Sequence, residues 1–229
     1  MRKVVIGIVG KPDNTDDMWS YIGINNEIRQ CLNKNNALAI GIIPQDFKFK
    51  KSGENEYDLD FNEINDLNEI LSMVDGIVLQ GGIVSNSYEQ QIVKICLEKD
   101  IPLLGICCGF NNIVRALGGT LDIEQTNLHS KYGLDYAHEV ILKEDSKLFK
   151  LIGTKKLIVN SIHRWIATVE SIKNCNIVGI CPLDNTVEAI EVPNKKFAIG
   201  LKWHPELMKN ESCMNVIFKE FIECCQNIK

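Results

Sequence analysis

The sequence predicts an α/β fold in which a mostly parallel central sheet carries helices on both faces, with additional antiparallel strands in its second half. Three observations lead there. Short β-branched runs alternate with stretches of helical period through the first half of the chain. Most of those runs stop at glycine or proline. Beyond Gly118-Gly119 the apolar runs instead follow one another closely, with turns between them. Alternating strands and helices imply parallel pairing, because a helical crossover returns the chain to the same end of the sheet. A single domain over residues 1–229 is expected, since that length buries a substantial core.

Taken in order, residues 4–9 form a β-branched run closed by Gly10 and Pro12, as a buried central strand would be. Trp19, Ile22, Ile28 and Leu32 give an imperfect helical stripe, and residues 37–43 before Pro44 read as a second strand. The opening unit is therefore β-α-β. Residues 45–61 are polar, with Lys48, Lys50, Lys51 and Glu54, and read as a solvated surface excursion. Ile64, Leu67 and Leu71 mark a helix, and residues 76–79 a strand that ends at Gln80-Gly81-Gly82. A loop over 83–87 leads to a helix carrying Ile92, Val93, Cys96 and Leu97, then to an apolar run ending at Cys107. In the second half His138, Val140 and Leu142 alternate, and residues 157–159, 177–181, 187–190 and 197–201 read as strands. A closing helix over 213–225 carries Val216, Ile217, Phe221 and Ile222.

Composition narrows the function classes. With 24% charged residues and a formal net charge of -5, the chain offers no electrostatic basis for binding nucleic acid. Its nine cysteines are scattered, with no Cys-x-x-Cys pair, which reads as reduced thiols rather than a disulfide frame or a zinc site. No metal and no other cofactor is expected. Met1 precedes only two basic residues and a short strand-like run, and no apolar stretch approaches membrane-spanning length. The expectation is a soluble, cytoplasmic protein that does not associate with membranes.

The chemistry gathers at Gly105-Ile106-Cys107-Cys108-Gly109. A strand that breaks sharply into a helix needs small residues around the turn, and Gly105 and Gly109 meet that need. Cys107 then sits at the tip, just before a helix N-terminus whose free N–H groups favour a thiolate. From this motif alone, a small buried hydrophobe explains Cys107 equally well. In parallel sheets function collects at the carboxyl ends of strands, where Gly81-Gly82 also falls. The N–H of Gly82 and that of Cys108 could form an oxyanion hole, while the plainer account of the diglycine is a tight turn. Of the four histidines, His204 in Trp203-His204-Pro205-Glu206 is the candidate base. Pro205 biases it toward an extended conformation, in which His204 and Glu206 point the same way and the carboxylate orients the imidazole. His129, in a polar loop, His138 and His163 read as structural or substrate-facing.

Leu79-Gln80-Gly81-Gly82, Glu89, Gly105-Ile106-Cys107-Cys108-Gly109, Ala116-Leu117-Gly118-Gly119-Thr120-Leu121, Asn160-Ser161-Ile162-His163, Val187-Glu188-Ala189-Ile190-Glu191 and Trp203-His204-Pro205-Glu206 follow one another in a telling order and spacing. Through these pieces the chain resembles the class I glutamine amidotransferase-like superfamily. Within it, the chain is similar to the γ-glutamyl-γ-aminobutyrate hydrolase-like family of C26 peptidases. The resemblance implies a flavodoxin-like fold and a triad of Cys107, His204 and Glu206. It further implies attack on glutamine or a γ-glutamyl amine through a thioester, with Gly81, Asn111, Ser161, Ile162 and His163 toward the substrate. A homodimer or a synthetase partner is compatible with it.

The chain departs from that pattern around the pocket. Ile83-Val84-Ser85-Asn86 stands where the family shows an acidic-Val-x-Pro pattern, Cys108 where an arginine is common, Asn111 for a glutamine, and His163-Arg164-Trp165 for His-His-Gln. The triad is kept and the substrate-facing positions are altered. A leaving group bulkier or more apolar than γ-aminobutyrate is therefore expected. Three functions follow: a free-standing amidohydrolase, a glutaminase or amidotransferase subunit serving an acceptor on a partner, and a non-catalytic binding protein on the same fold.

Overall fold

The computed structural model describes residues 2–13, 21–44, 59–83, 85–208 and 212–226. Strand β1 (Val5–Val9) is buried from Ile6 onward, as an apolar run without a polar face must be. A short antiparallel ribbon of β2 (Lys11–Asp13) and β3 (Tyr21–Gly23) precedes α1 (Asn26–Lys34). Ile22 thus belongs to a ribbon strand and not to the expected helical stripe. The helix begins where the Asn25 side chain accepts from the Glu27 and Ile28 N–H groups. Trp19 and residues 45–58 of the expected surface excursion lie outside the described residues.

β4 (Leu38–Ile42) pairs in parallel with β1, so the opening β-α-β unit stands with a ribbon inserted in it. α2 (Phe61–Ser72) starts at a reciprocal capping box between Asp60 and Glu63 and buries Leu67 and Leu71. β5 (Gly76–Leu79), α3 (Ser87–Glu98), β6 (Leu103–Ile106) and α4 (Cys108–Ala116) follow. The second half comprises β7 (Asp122–Ile123), β8 (His138–Leu142), α5 (Lys147–Ile152), β9 (Lys156–Val159), β10 (Trp165–Ile166), β11 (Asn176–Ile180), β12 (Val187–Glu191), β13 (Ala198–Leu201) and α6 (Ser212–Gln226). The one-and-a-half-turn α5 and the β7–β10 ribbon are too short to leave a periodic signal in the sequence.

Among the described residues nine strands form one sheet in the order β4-β1-β5-β6-β13-β12-β11-β8-β9. It is parallel from β4 through β13 and antiparallel from β12 to β9. The expected extra strands therefore lengthen the main sheet. Leu67 of α2, Ile92 of α3 and Ile113 of α4 pack on one face. Ile28 of α1, Leu148 of α5 and Phe218 of α6 pack on the other. No described helix is long and apolar enough to cross a membrane.

The β6–α4 junction is the tightest backbone approach in this arrangement. Cys107 caps α4 at φ 51°, ψ -99°, a positive φ that side chains rarely adopt. A Cβ on Gly109 would stand 2.1 Å from the carbonyl oxygen of Leu79 in β5, and one on Gly105 would meet the Gly109 backbone at 2.8 Å. Both contacts are with main chain, which cannot rotate aside. Gly109→Ala should accordingly cost about 1–3 kcal/mol or more of folding stability through overpacking, read as a lowered thermal midpoint. An unchanged midpoint would mean that α4 can slide away from β5.

Candidate active site

Cys107 is buried at the carboxyl end of β6, and its N–H donates to Leu201 O of β13 at 2.7 Å. Burial works against its thiolate. The hydrogen bond and positive charge of His204, together with Lys202, outweigh that and hold the Cys107 pKa below the usual thiol range. The neighbouring Cys108 behaves oppositely, because burial raises its pKa despite Lys11. Two adjacent thiols are thus set apart by their surroundings.

His204 follows β13, and its Nδ1 lies 2.8 Å from Glu206 Oε1. Burial disfavours the imidazolium, yet Glu206 and Cys107 raise the His204 pKa well above its ordinary value. An extended chain is not what joins the two residues. Pro205–Leu207 form a 3-10 turn, and this turn carries the carboxylate back to the ring. Asn160 clamps the same residue, accepting from His204 N and donating to His204 O, both at 2.8 Å. A Cβ on Gly81 would strike the His204 ring at 2.6 Å, so that glycine leaves room for the imidazole.

Two buried lysines that the sequence reading left aside complete the electrostatics. Lys202 Nζ donates to Asn111 Oδ1 at 2.9 Å and to Trp165 O at 2.7 Å. Burial lowers its pKa, with Cys107 and Glu188 opposing. Lys11 pairs with Glu89 and lies 3.3 Å from Cys108 Sγ. Glu89 also accepts from Asn86 and Asn112. Where the resemblance puts an arginine at position 108, a cation arrives here from β2 instead. A buried lysine in an isolated run has no periodic signature, so only the fold could reveal either one.

A cleft of about 420 Å³ opens beside the cysteine, lined by Gly82, Ile83, Cys107, Asn111, Ile123, Tyr132, Ile162, His163, Arg164, Trp165 and His204. Of the substrate-facing residues implied by the resemblance, Asn111, Ile162 and His163 line it. Ser161 does not. Its fully buried hydroxyl is held behind the wall, within 2.9 Å of His129 O and 3.2 Å of His163 Nε2. Gly81 packs on His204 rather than facing the cleft. Ile83 and Trp165 contribute apolar wall as expected, whereas Val84 lies outside the described residues. His163 stays neutral because burial, then Lys202, push its pKa well below the usual value.

Residues 85–206, more than half of the chain, match the family model described as Peptidase C26. The chain belongs to the Peptidase C26 family. A CTP synthase of Chlamydia caviae is 25% identical over 97% of this chain and 44% of its own length. The γ-glutamyl-γ-aminobutyrate hydrolase PuuD of Escherichia coli is 32% identical over 59% of this chain and 58% of its own. This C26 chain thus spans about half the length of the curated relatives it matches. The solved glutaminase domain of Trypanosoma brucei CTPS, with bound acivicin, matches at a TM-score of 0.69 and 16% identity. That match covers 96% of this chain and 94% of the other, and it shows the shared fold.

The electrostatics of this C26 site give a pH test. Alkylation of Cys107 by iodoacetamide should persist below the usual thiol range and disappear as pH falls through its lowered pKa. In His204→Asn, burial remains while the cation is lost, so the midpoint should move upward. Peptide mapping that finds Cys108 alkylated first, or an unmoved midpoint in the variant, would contradict this account.

Proposed function

We propose that residues 1–229 act as one cysteine-dependent amidohydrolase domain. It cleaves the γ-glutamyl amide bond of glutamine or of a γ-glutamyl amine. The observation that carries this reading is the hydrogen-bonded line from Cys107 through His204 to Glu206 at the edge of the cleft. Membership of Peptidase C26 and the printed activities of the relatives support the same class of reaction.

In this mechanism the Cys107 thiolate attacks the amide carbonyl carbon. The N–H groups of Gly82 and Cys108 receive the developing oxyanion. Cys108 is the first residue of α4, so its N–H has no acceptor within the helix. The His204 imidazolium gives its proton to the leaving nitrogen, and the amine or ammonia departs from a γ-glutamyl thioester. His204 then takes a proton from water, the hydroxyl attacks the thioester, and glutamate leaves with the thiolate restored. Glu206 orients the ring and stabilises its charged form. Asn111, Ile162 and His163 hold the glutamyl end, while Ile83, Ile123, Tyr132 and Trp165 offer an apolar surface to the leaving group. Nine free thiols favour a reducing compartment, the cytoplasm.

A second reading, a glutaminase that delivers ammonia to a synthetase, is favoured by one observation. Nearly the whole chain aligns with less than half of the Chlamydia CTP synthase. Such a glutaminase should hydrolyse glutamine slowly alone and faster with the synthetase present.

An electrophilic glutamine analogue should leave a mass adduct on Cys107, and Cys107→Ser should be inactive. His204→Asn should reduce kcat by about 10²–10⁴-fold, and Glu206→Gln by less. Full activity in Cys107→Ser would sink the mechanism. For the leaving group, kcat/KM should rise with apolar size across a series of γ-glutamyl amides and flatten in Trp165→Gln. A preference for γ-glutamyl-γ-aminobutyrate in both proteins would show that the altered wall does not set specificity.

A further inference from the structure

Behind the cleft wall lies a group of side chains that the triad does not use. His129, from the loop after β7, His138 of β8, His163, from the loop before β10, and Glu188 of β12 are all buried. Their facing atoms lie within 4.8 Å of one another. His129 Nδ1 is 3.1 Å from His138 Nε2 and 3.4 Å from Glu188 Oε1. The same carboxylate oxygen is 3.6 Å from His163 Nε2 and 4.0 Å from His138 Nε2. Four ligands about 2.0–2.2 Å from one tetrahedral zinc ion stand roughly 3.3–3.6 Å apart. The observed separations bracket that spacing.

Proton accounting points the same way. His129 Nε2 faces Asp184 Oδ2 at 2.9 Å, His138 Nδ1 faces Glu139 O at 3.1 Å, and His163 Nδ1 faces Trp165 O at 3.2 Å. In the singly protonated form, each ring keeps its proton on the outward nitrogen, where the acceptor lies, and presents a lone pair inward. Among the described residues neither Glu188 oxygen has a hydrogen-bond partner, although the residue is fully buried and burial raises its pKa. The nearby Ser161 hydroxyl has one proton, with His129 O, His129 Nδ1 and His163 Nε2 all within 3.4 Å. Inward acceptors outnumber donors, and leaving buried acceptors unsatisfied is costly.

From this convergence we infer that His129 Nδ1, His138 Nε2, His163 Nε2 and Glu188 bind one divalent transition-metal ion, zinc by ligand type. Three imidazoles and a carboxylate suit zinc better than calcium or magnesium, which prefer oxygen. All four positions are filled by protein and closed to solvent, so the ion is structural rather than catalytic. The Asp184 carboxylate and the two backbone carbonyls hold the rings in their ligating tautomers. Because His163 also lines the cleft, the ion would tie that wall to β8 and β12.

The test reads metal rather than activity, so it stands apart from the proposed hydrolysis. Protein produced with zinc in the medium and desalted should contain about one zinc per chain by plasma mass spectrometry. Chelation by dipicolinate should remove it and lower the melting temperature, and added Zn²⁺ should restore both. Co²⁺ added to the stripped parent should give the visible bands of four-coordinate cobalt, without the thiolate charge-transfer absorption that ligation by a cysteine would add. Cys107→Ser should keep the metal. Glu188→Gln and His138→Ala should lose most of it, and Asp184→Asn should bind about 10–100-fold more weakly. Since a ligand variant can fail to fold, the stripped parent decides independently. A parent that takes up neither Zn²⁺ nor Co²⁺, with an unmoved melting temperature, overturns the inference. So does a folded Glu188→Gln that retains a full equivalent.

Discussion

The packing of the start of α4 against β5 and β6 is the contact on which the site depends. At Gly109 the helix comes so near Leu79 O that any side chain would have to push the two elements apart. That nearness forces the chain to reverse within one residue, and Cys107 absorbs the reversal at φ 51°. The strain delivers a sulfur to the carboxyl edge of the sheet next to the residues that follow β13. Because β13 pairs in parallel with β6, His204 emerges at the same edge as Cys107. Strand adjacency thus accomplishes what the long sequence separation of the two residues conceals.

Charge balance is the second constraint. Three largely buried cationic side chains, His204, Lys202 and Lys11, sit near the two adjacent thiols, where a lone thiolate would be strongly disfavoured. His204 is offset by Glu206, and Lys11 by Glu89, so each cation arrives with its own partner. Lys202 is different. It is hydrogen-bonded only to neutral oxygens, of Asn111 and Trp165, in the bonds described, and its charge bears on both Cys107 and Glu188. The asymmetry between Cys107 and Cys108 follows: one thiol faces the cation-bearing edge, the other faces an acid–base pair that is already closed.

Much of this was legible in the sequence because it rests on local signals. The parallel strands, α2, α3 and α6 show in apolar periodicity, and the elbow at Cys107 shows in its flanking glycines. Motif residues named Cys107, His204 and Glu206, the side chains that the structure brings together, although a 3-10 turn and not an extended strand supplies the Glu206 contact. Ile22 misled because a three-residue strand and one turn of helix present the same single apolar residue. Lys11, Lys202 and the His129–His138–His163–Glu188 cluster were not legible, since each gains meaning only from long-range contacts. The absence of a Cys-x-x-Cys pair answers only for cysteine ligands. It is silent about imidazoles delivered from separate strands and loops.

Lys202, just after β13, and His163, from the loop before β10, meet at the Trp165 carbonyl. Lys202 Nζ donates to it, and it also faces His163 Nδ1. One oxygen therefore fixes both the ammonium whose charge favours the Cys107 thiolate and the ring that bounds the cleft. Glu188 lies on the far side of this link, where burial raises its pKa while the Lys202 charge bears on it as well as on Cys107. A cation held by the histidines and Glu188 would offset the Glu188 carboxylate within reach of that ammonium. On this argument the antiparallel extension is more than a buttress for the parallel half. It contributes Glu188 of β12, which bears on the same Lys202 ammonium as Cys107 does.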